Sequence, residues 1–416
     1  MPKADERSAL VSSDTPRLPL DIASVHIFRL IGILHIVWDH FDQQVRAGGR
    51  RAWGPTWVTF FFMISGFGAA HAKLCADSSM AASSSWLPNG RTLRRRLAGV
   101  YPSYVASLLL GAASMWASDR QAAFSEADAP LVLVLQTLLL TSFVPSRLVL
   151  FAHSNVNTAA WFVSALAFMW LLEQPVFEAA KLAQRHRVLW LLPTAIIAYI
   201  VACPAALFPL TWGRGYIFWG PPPWPSQWWF EIPALTFCHQ YVAGVAAAVW
   251  AHDRANRGAS PIPYAAEGAL FVLVVVFAVV PMPSNQILDW GYHTGVLLPV
   301  HILLVLGLAE GGGPLSTLCA RWPLPLVRPF SLGAYLLQRP IGDLGLFAHT
   351  LGADALPFAV MAAATLGAIP LHYLVQVPLG KLMLGQCLES GRDAEQAKGS
   401  QAPPASVSLS TSESQA

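Results

Sequence analysis

Arg29 and His40 stand eleven residues apart inside an otherwise apolar stretch, VHIFRLIGILHIVWDHF. On an α-helix that spacing turns the side chains about 20° and separates them by about 16 Å, so the two share a face without touching. A guanidinium at one end of such a face can hold a phosphate or carboxylate through forked hydrogen bonds, and an imidazole at the other can act as a general base near neutral pH. An extended anionic ligand, gripped at one end and processed at the other, suits this geometry. The same residues admit a passive reading, in which Arg29 snorkels to headgroups and His40 sits at the opposite interface. Asp39 points about 100° away from His40 and is poorly placed to orient it. His35 also lies off this face and reads as a hydrogen-bonded interior histidine.

Further along, Ser65 and Gly66 interrupt the bulky run FFFMISGF, where small residues let helices approach closely and a hydroxyl could reach a ligand. Arg91, Arg94, Arg95 and Arg96 precede Tyr101-Pro102. They read either as a topological anchor or as a cluster for a polyphosphate. Arg339 and Asp343 have the spacing of an ion pair on one helical face. Glu173-Gln174-Pro175 falls near a span end and reads as interfacial. The Trp- and Pro-rich loop from Trp212 to Trp229 reads as an aromatic belt, or as stacking surfaces for a sugar ring. Five cysteines without a CxxC pair point to packing positions rather than a disulfide framework or zinc site, so no metal is expected.

The elements that position these residues must be membrane helices. The chain has 416 residues, of which 55% are hydrophobic and only 12% charged, against about a quarter charged in soluble proteins. A small net charge of +3, without a basic stripe, argues against a nucleic-acid partner. Apolar runs long enough to span fall near 22–42, 53–72, 97–117, 157–180, 188–209, 231–252, 265–283, 291–309, 326–347 and 354–379. The fold class expected is therefore all-α: a polytopic integral membrane helical bundle of about ten transmembrane helices. The run 130–145 is shorter and reads as re-entrant or interfacial. Leaving it uncrossed gathers most Lys and Arg on the side of both termini, which the positive-inside rule makes cytosolic. Plasma and internal membranes look alike in such a sequence. Residues 1–20 form a polar, cytosolic N-terminal segment without a signal-peptide core. Residues 21–387 form the transmembrane domain, and 388–416 are too polar to repay the entropy of ordering.

These pieces, in this order, resemble the membrane-bound acyltransferase type 3 family, over about Leu20 to Leu382. The resemblance rests on Arg29 and His40, on FFMISGF at Phe61–Phe67, on RTLRRRLAGVYPSY, and on the Trp-led WFVSAL from Trp161. It also rests on FCHQYVAG at Phe237–Gly244 and on SLGAYLLQRPI from Ser331. It implies transfer of an acyl group, often acetyl, from acyl-CoA to a hydroxyl of a carbohydrate, lipid or other small acceptor. Under it His40 is the catalytic residue with Arg29 its partner, Ser65 and Arg94, Arg95 and Arg96 face coenzyme A, and Trp161 and Gln338 face the acceptor. The chain departs from the pattern at Gly99, where relatives commonly carry Arg, at Leu166 and Gln376, where they carry Glu, and at Gln338, where they carry His. Those departures keep a catalytically inactive scaffold open as an alternative. Intramembrane charges also suit a transporter, although the Arg-His and FFxxSGF elements have no second copy.

Overall fold

The computed structural model describes residues 20, 24–45, 53–54, 56–76, 90–118, 120–144, 152, 154–192, 194–199, 232–280, 295–321, 328–344, 351 and 355–385. Residues 1–19 of the N-terminal segment, the Trp- and Pro-rich loop, half of the 188–209 run and the C-terminal tail lie outside them. Helices α1 (Val25–Val45), α2 (Thr56–Ala76), α3 (Gly90–Ala98), α4 (Tyr101–Ala117), α5 (Ala129–Thr137) and α6 (Trp161–Arg185) come first. They are followed by α7 (Cys238–Asn256), α8 (Ala265–Val279), α9 (Leu298–Glu310), α10 (Pro314–Arg321), α11 (Arg328–Asp343), α12 (Leu356–Pro370) and α13 (Val377–Leu384). No strand occurs among the described residues.

Among the described residues, four helical segments are long and apolar enough to cross a membrane, and six if each bent pair, α3–α4 and α9–α10, is one span. The outward faces of these segments and of the shorter helix α8 carry Leu109, Trp116, Phe271, Val279, Leu366 and Leu374, all strongly exposed, as a lipid-facing surface requires. Burial sorts the helices: 78% of the most apolar window around α7 lies inside the fold, but only 17% of the window in the α12–α13 segment. Hence α7 is central and α12–α13 peripheral. The 265–283 run forms a 15-residue helix, ending at Val279 just before Pro281. Proline cannot extend the ladder and biases its predecessor toward extended backbone, which Val280 adopts.

Helices α2 and α7 meet backbone to backbone, and two glycines make it possible. A Cβ on Gly66 would stand 2.1 Å from the Tyr241 carbonyl oxygen, and one on Gly244 only 1.9 Å from that of Met63. Since Gly66 lies against Tyr241 and Gly244 against Met63, while His71 meets His252 further on, the two helices run parallel.

Helix α5 is nine residues long and rises about 14 Å, less than half a bilayer core. The chain then turns at Leu139, whose φ is 59°. Non-helical backbone at this depth needs internal partners. The Ser142 N–H donates to Ser164 Oγ at 3.0 Å, Ser164 Oγ donates to the Leu139 carbonyl at 2.6 Å, and Ser142 Oγ donates to the Trp161 carbonyl at 2.7 Å. Gln136 Nε2 donates to Asn155 Oδ1, and Asn157 Nδ2 to Ser107 Oγ and the Leu336 carbonyl.

One sequence expectation fails here. Asp343 pairs with Arg120 at 3.1 Å rather than with Arg339, which has no ion pair among the described residues. Spacing on one helix permitted the first pair, but a neighbouring segment supplies the cation. Glu173, read as interfacial, is buried within the protein and lies 3.3 Å from Lys73 and 3.4 Å from Arg96.

Candidate functional site

A cavity of about 780 Å³ opens where α1 begins and α2 ends. Its polar lining comprises Arg29, Ser65, Arg95, Arg96, His372 and Gln376. Its apolar wall includes Ile33, Phe61, Phe162, Leu166 and Tyr335. Three of the four positions that depart from the resembled pattern, Gly99, Leu166 and Gln376, face this space. Such a volume lies within the range for drug-sized ligands, and three guanidiniums on its rim favour an anion.

Two helices bring the cations there. Arg29 projects from the first turns of α1. Arg95 and Arg96 come from α3, which meets α4 at a bend of 42°. That bend is clamped by Gln376, whose Nε2 donates to the Ala98 carbonyl at 2.7 Å and whose Oε1 accepts from the Ser103 N–H at 3.0 Å. Gln376 itself reaches inward from a π-helical stretch, Leu371–Gln376, between α12 and α13. Glu173 of α6 holds Arg96 from behind, outside the cavity lining. Sequence reasoning missed Glu173. The signal was available, because a carboxylate inside a membrane span requires cations, but Arg96 was read as a topological anchor or a phosphate ligand rather than as its partner.

Ser65 lines the cavity while its hydroxyl donates to the Phe61 carbonyl at 2.7 Å, leaving oxygen lone pairs for a donor on a ligand. Arg94 is not part of the wall: its Nε donates to the Met383 carbonyl at 2.8 Å and ties α3 to α13. On a helix the adjacent arginines diverge by about 100°, so three in a row cannot share one face. Trp161 is likewise absent from the lining. It is buried among Phe62, Phe162 and Phe237, with centroids 6.3, 6.2 and 5.4 Å away.

His40 lies seven residues beyond Ile33 on α1, about 10 Å deeper along the axis. Its Nδ1–H donates to Gln338 Oε1 at 3.1 Å. That bond fixes the tautomer with a free lone pair on Nε2, the form a general base needs. Gln338 is one turn past Tyr335 on α11, and Tyr335 stacks edge-on against Phe162 at 5.5 Å between centroids. His35 is held elsewhere, accepting from Trp57 Nε1 at 2.8 Å. The structure thus unites Arg29, Ser65, Arg95 and Arg96 in one cavity. It joins His40 to Gln338 in a second cluster below, and leaves Arg94 and Trp161 outside both.

A family model described as an acyltransferase domain, that of the type 3 acyltransferases, matches residues 22–377. No curated protein matches the chain. No solved structure matches it either.

Proposed function

The chain belongs to the acyltransferase type 3 family, and from that premise we propose that it transfers an acyl group, acetyl in the simplest case, from acyl-CoA to a hydroxyl. The acceptor is a carbohydrate, a lipid or another small molecule. The observation that supports this reading best is the continuity of α1, which carries Arg29 into the cationic cavity and His40 to Gln338 beyond it. The phosphates of coenzyme A lie against Arg29, Arg95 and Arg96 at the cytosolic end, and the acyl-pantetheine arm follows α1 inward past Phe61, Phe162 and Tyr335. These rings line the inner wall, and they must rotate to pass the thioester.

In the reaction the acceptor oxygen adds to the thioester carbonyl while His40 Nε2 takes the hydroxyl proton. The carbon–sulfur bond then breaks, and the leaving thiolate recovers that proton from the imidazolium, giving an ester and free coenzyme A. Gln338 acts as a positioning residue through His40 Nδ1. General-base assistance contributes about 10²–10⁴-fold, so His40→Ala lowers coenzyme A release by that factor with folding retained. Arg29→Ala raises the KM for acyl-CoA instead. The test is release of free coenzyme A from acetyl-CoA, and from longer acyl-CoAs, by membranes containing each variant with cell extract as acceptor. Absence of His40-dependent release, together with no coenzyme A binding, would overturn the proposal.

A further inference from the structure

His71 and Cys75 stand one turn apart on α2, and His252 of α7 packs against the same turn. His71 Nδ1 lies 2.9 Å from His252 Nε2, and Cys75 Sγ lies 3.6 Å from His71 Nε2. One donor atom from each of the three residues falls within a set no wider than 4.8 Å. Ligand atoms around one tetrahedral zinc are separated by roughly 3.3–3.6 Å, given Zn–N near 2.0–2.1 Å and Zn–S near 2.3 Å. The Cys75 Sγ–His71 Nε2 separation already matches; the 2.9 Å contact uses the other His71 nitrogen, Nδ1, so His252 leaves that hydrogen bond and turns toward Nε2 when all three hold one ion.

Several features hold the cluster in place. The His71 ring stacks on Phe67, nearly parallel at 9°. The Gly66–Gly244 crossing, a few residues before, fixes by backbone contact how near His252 comes to α2. Lys73, the one cation between His71 and Cys75, is drawn away by Glu173 and by Gln174 at 2.6 Å. Cys75 is exposed, which gives an ion a path of entry.

We propose that His71, Cys75 and His252 bind a single transition-metal ion of the Zn²⁺ class, with a fourth position left to water. Two imidazoles and a thiolate, with no carboxylate or carbonyl in the set, select such an ion over Mg²⁺ or Ca²⁺. The ion cross-links α2 and α7 at the end where α2 forms the wall of the cationic cavity. It takes no part in the acyl transfer and stands independently of that reading.

The test uses the purified full-length protein in detergent, stripped with a chelator and titrated with Zn²⁺ or Co²⁺. One ion binds per chain. Co²⁺ gives a thiolate charge-transfer band that Cys75→Ser abolishes, and Zn²⁺ raises the Tm of the parent protein but not of Cys75→Ser. His252→Ala weakens Zn²⁺ binding by about tenfold or more. Because Cys75 is exposed, its serine variant keeps the parent elution profile and carries the test even if His252→Ala does not fold. Failure of the parent protein to take up a stoichiometric ion would overturn the proposal, as would a cobalt band that survives Cys75→Ser.

Discussion

At the scale of single residues, the pair His40 and Gln338 can be tested apart from the cationic cavity. Gln338→Met keeps the volume but removes the acceptor for His40 Nδ1–H. We expect kcat to fall about tenfold or more while the KM for acyl-CoA stays put, because the arginine wall is untouched. Initial rates across acyl-CoA concentrations separate the two parameters, and Gln338→Glu, which still accepts, recovers part of kcat. Arg29 and His40 were legible in the sequence because ionisable groups stand out against an apolar span. The outward turn of Arg94 was not legible, since only the bend between α3 and α4 decides which arginine faces inward. The tight burial of Trp161 was equally hidden, because it depends on Phe62 and Phe237 from distant helices.

At the scale of elements, the α2–α7 contact makes a sharp comparison among glycines. Gly244→Ala forces a methyl into the Met63 carbonyl, and such overpacking costs typically about 1–3 kcal/mol. Gly268→Ala, with nothing within 4 Å of its added carbon, is neutral or mildly stabilising through helix propensity. Thermal unfolding in detergent ranks the two. The clamp of Glu173 on Lys73 and Arg96 joins α6 to α2 and α3 in the same way. Glu173→Gln leaves two facing cations unopposed, and we expect a loss of about 1–3 kcal/mol, below the figure for a fully buried pair because Arg96 is a third exposed. The non-spanning character of 130–145 was readable from its length. The seryl and amide groups that seat it were not, since Ser164 and Asn157 carry no local pattern that names their partners.

For the whole molecule, the apolar composition announced a helical membrane protein, and the order of motifs announced the family. Sequence alone could not place Gly99, Leu166 and Gln376 around one cavity, because they come from three separate stretches of chain. The cavity's charge also has a bulk consequence. With three guanidiniums on the rim, coenzyme A raises the Tm at low ionic strength by mass action, and added salt diminishes the shift as it screens the phosphates. Arg95→Ala halves the shift or more. A shift independent of salt would place the nucleotide elsewhere.

The clamp at the α3–α4 bend bears on how this chain could have arisen. Gln376 reaches Ala98 with its amide donor, and Gly99 is the next residue, so the Arg and Glu that relatives commonly carry at 99 and 376 would stand side by side. Restoring only the carboxylate at 376 would press it against the Ala98 carbonyl, whereas a cation alone at 99 would stand on an exposed position that lines the cavity, so the order of the two replacements matters. Gln376→Glu alone should therefore cost about 1–3 kcal/mol, while the double variant Gly99→Arg/Gln376→Glu regains most of it. Room exists for the reversal, since a Cβ at Gly99 lies no closer than 3.4 Å to its neighbours.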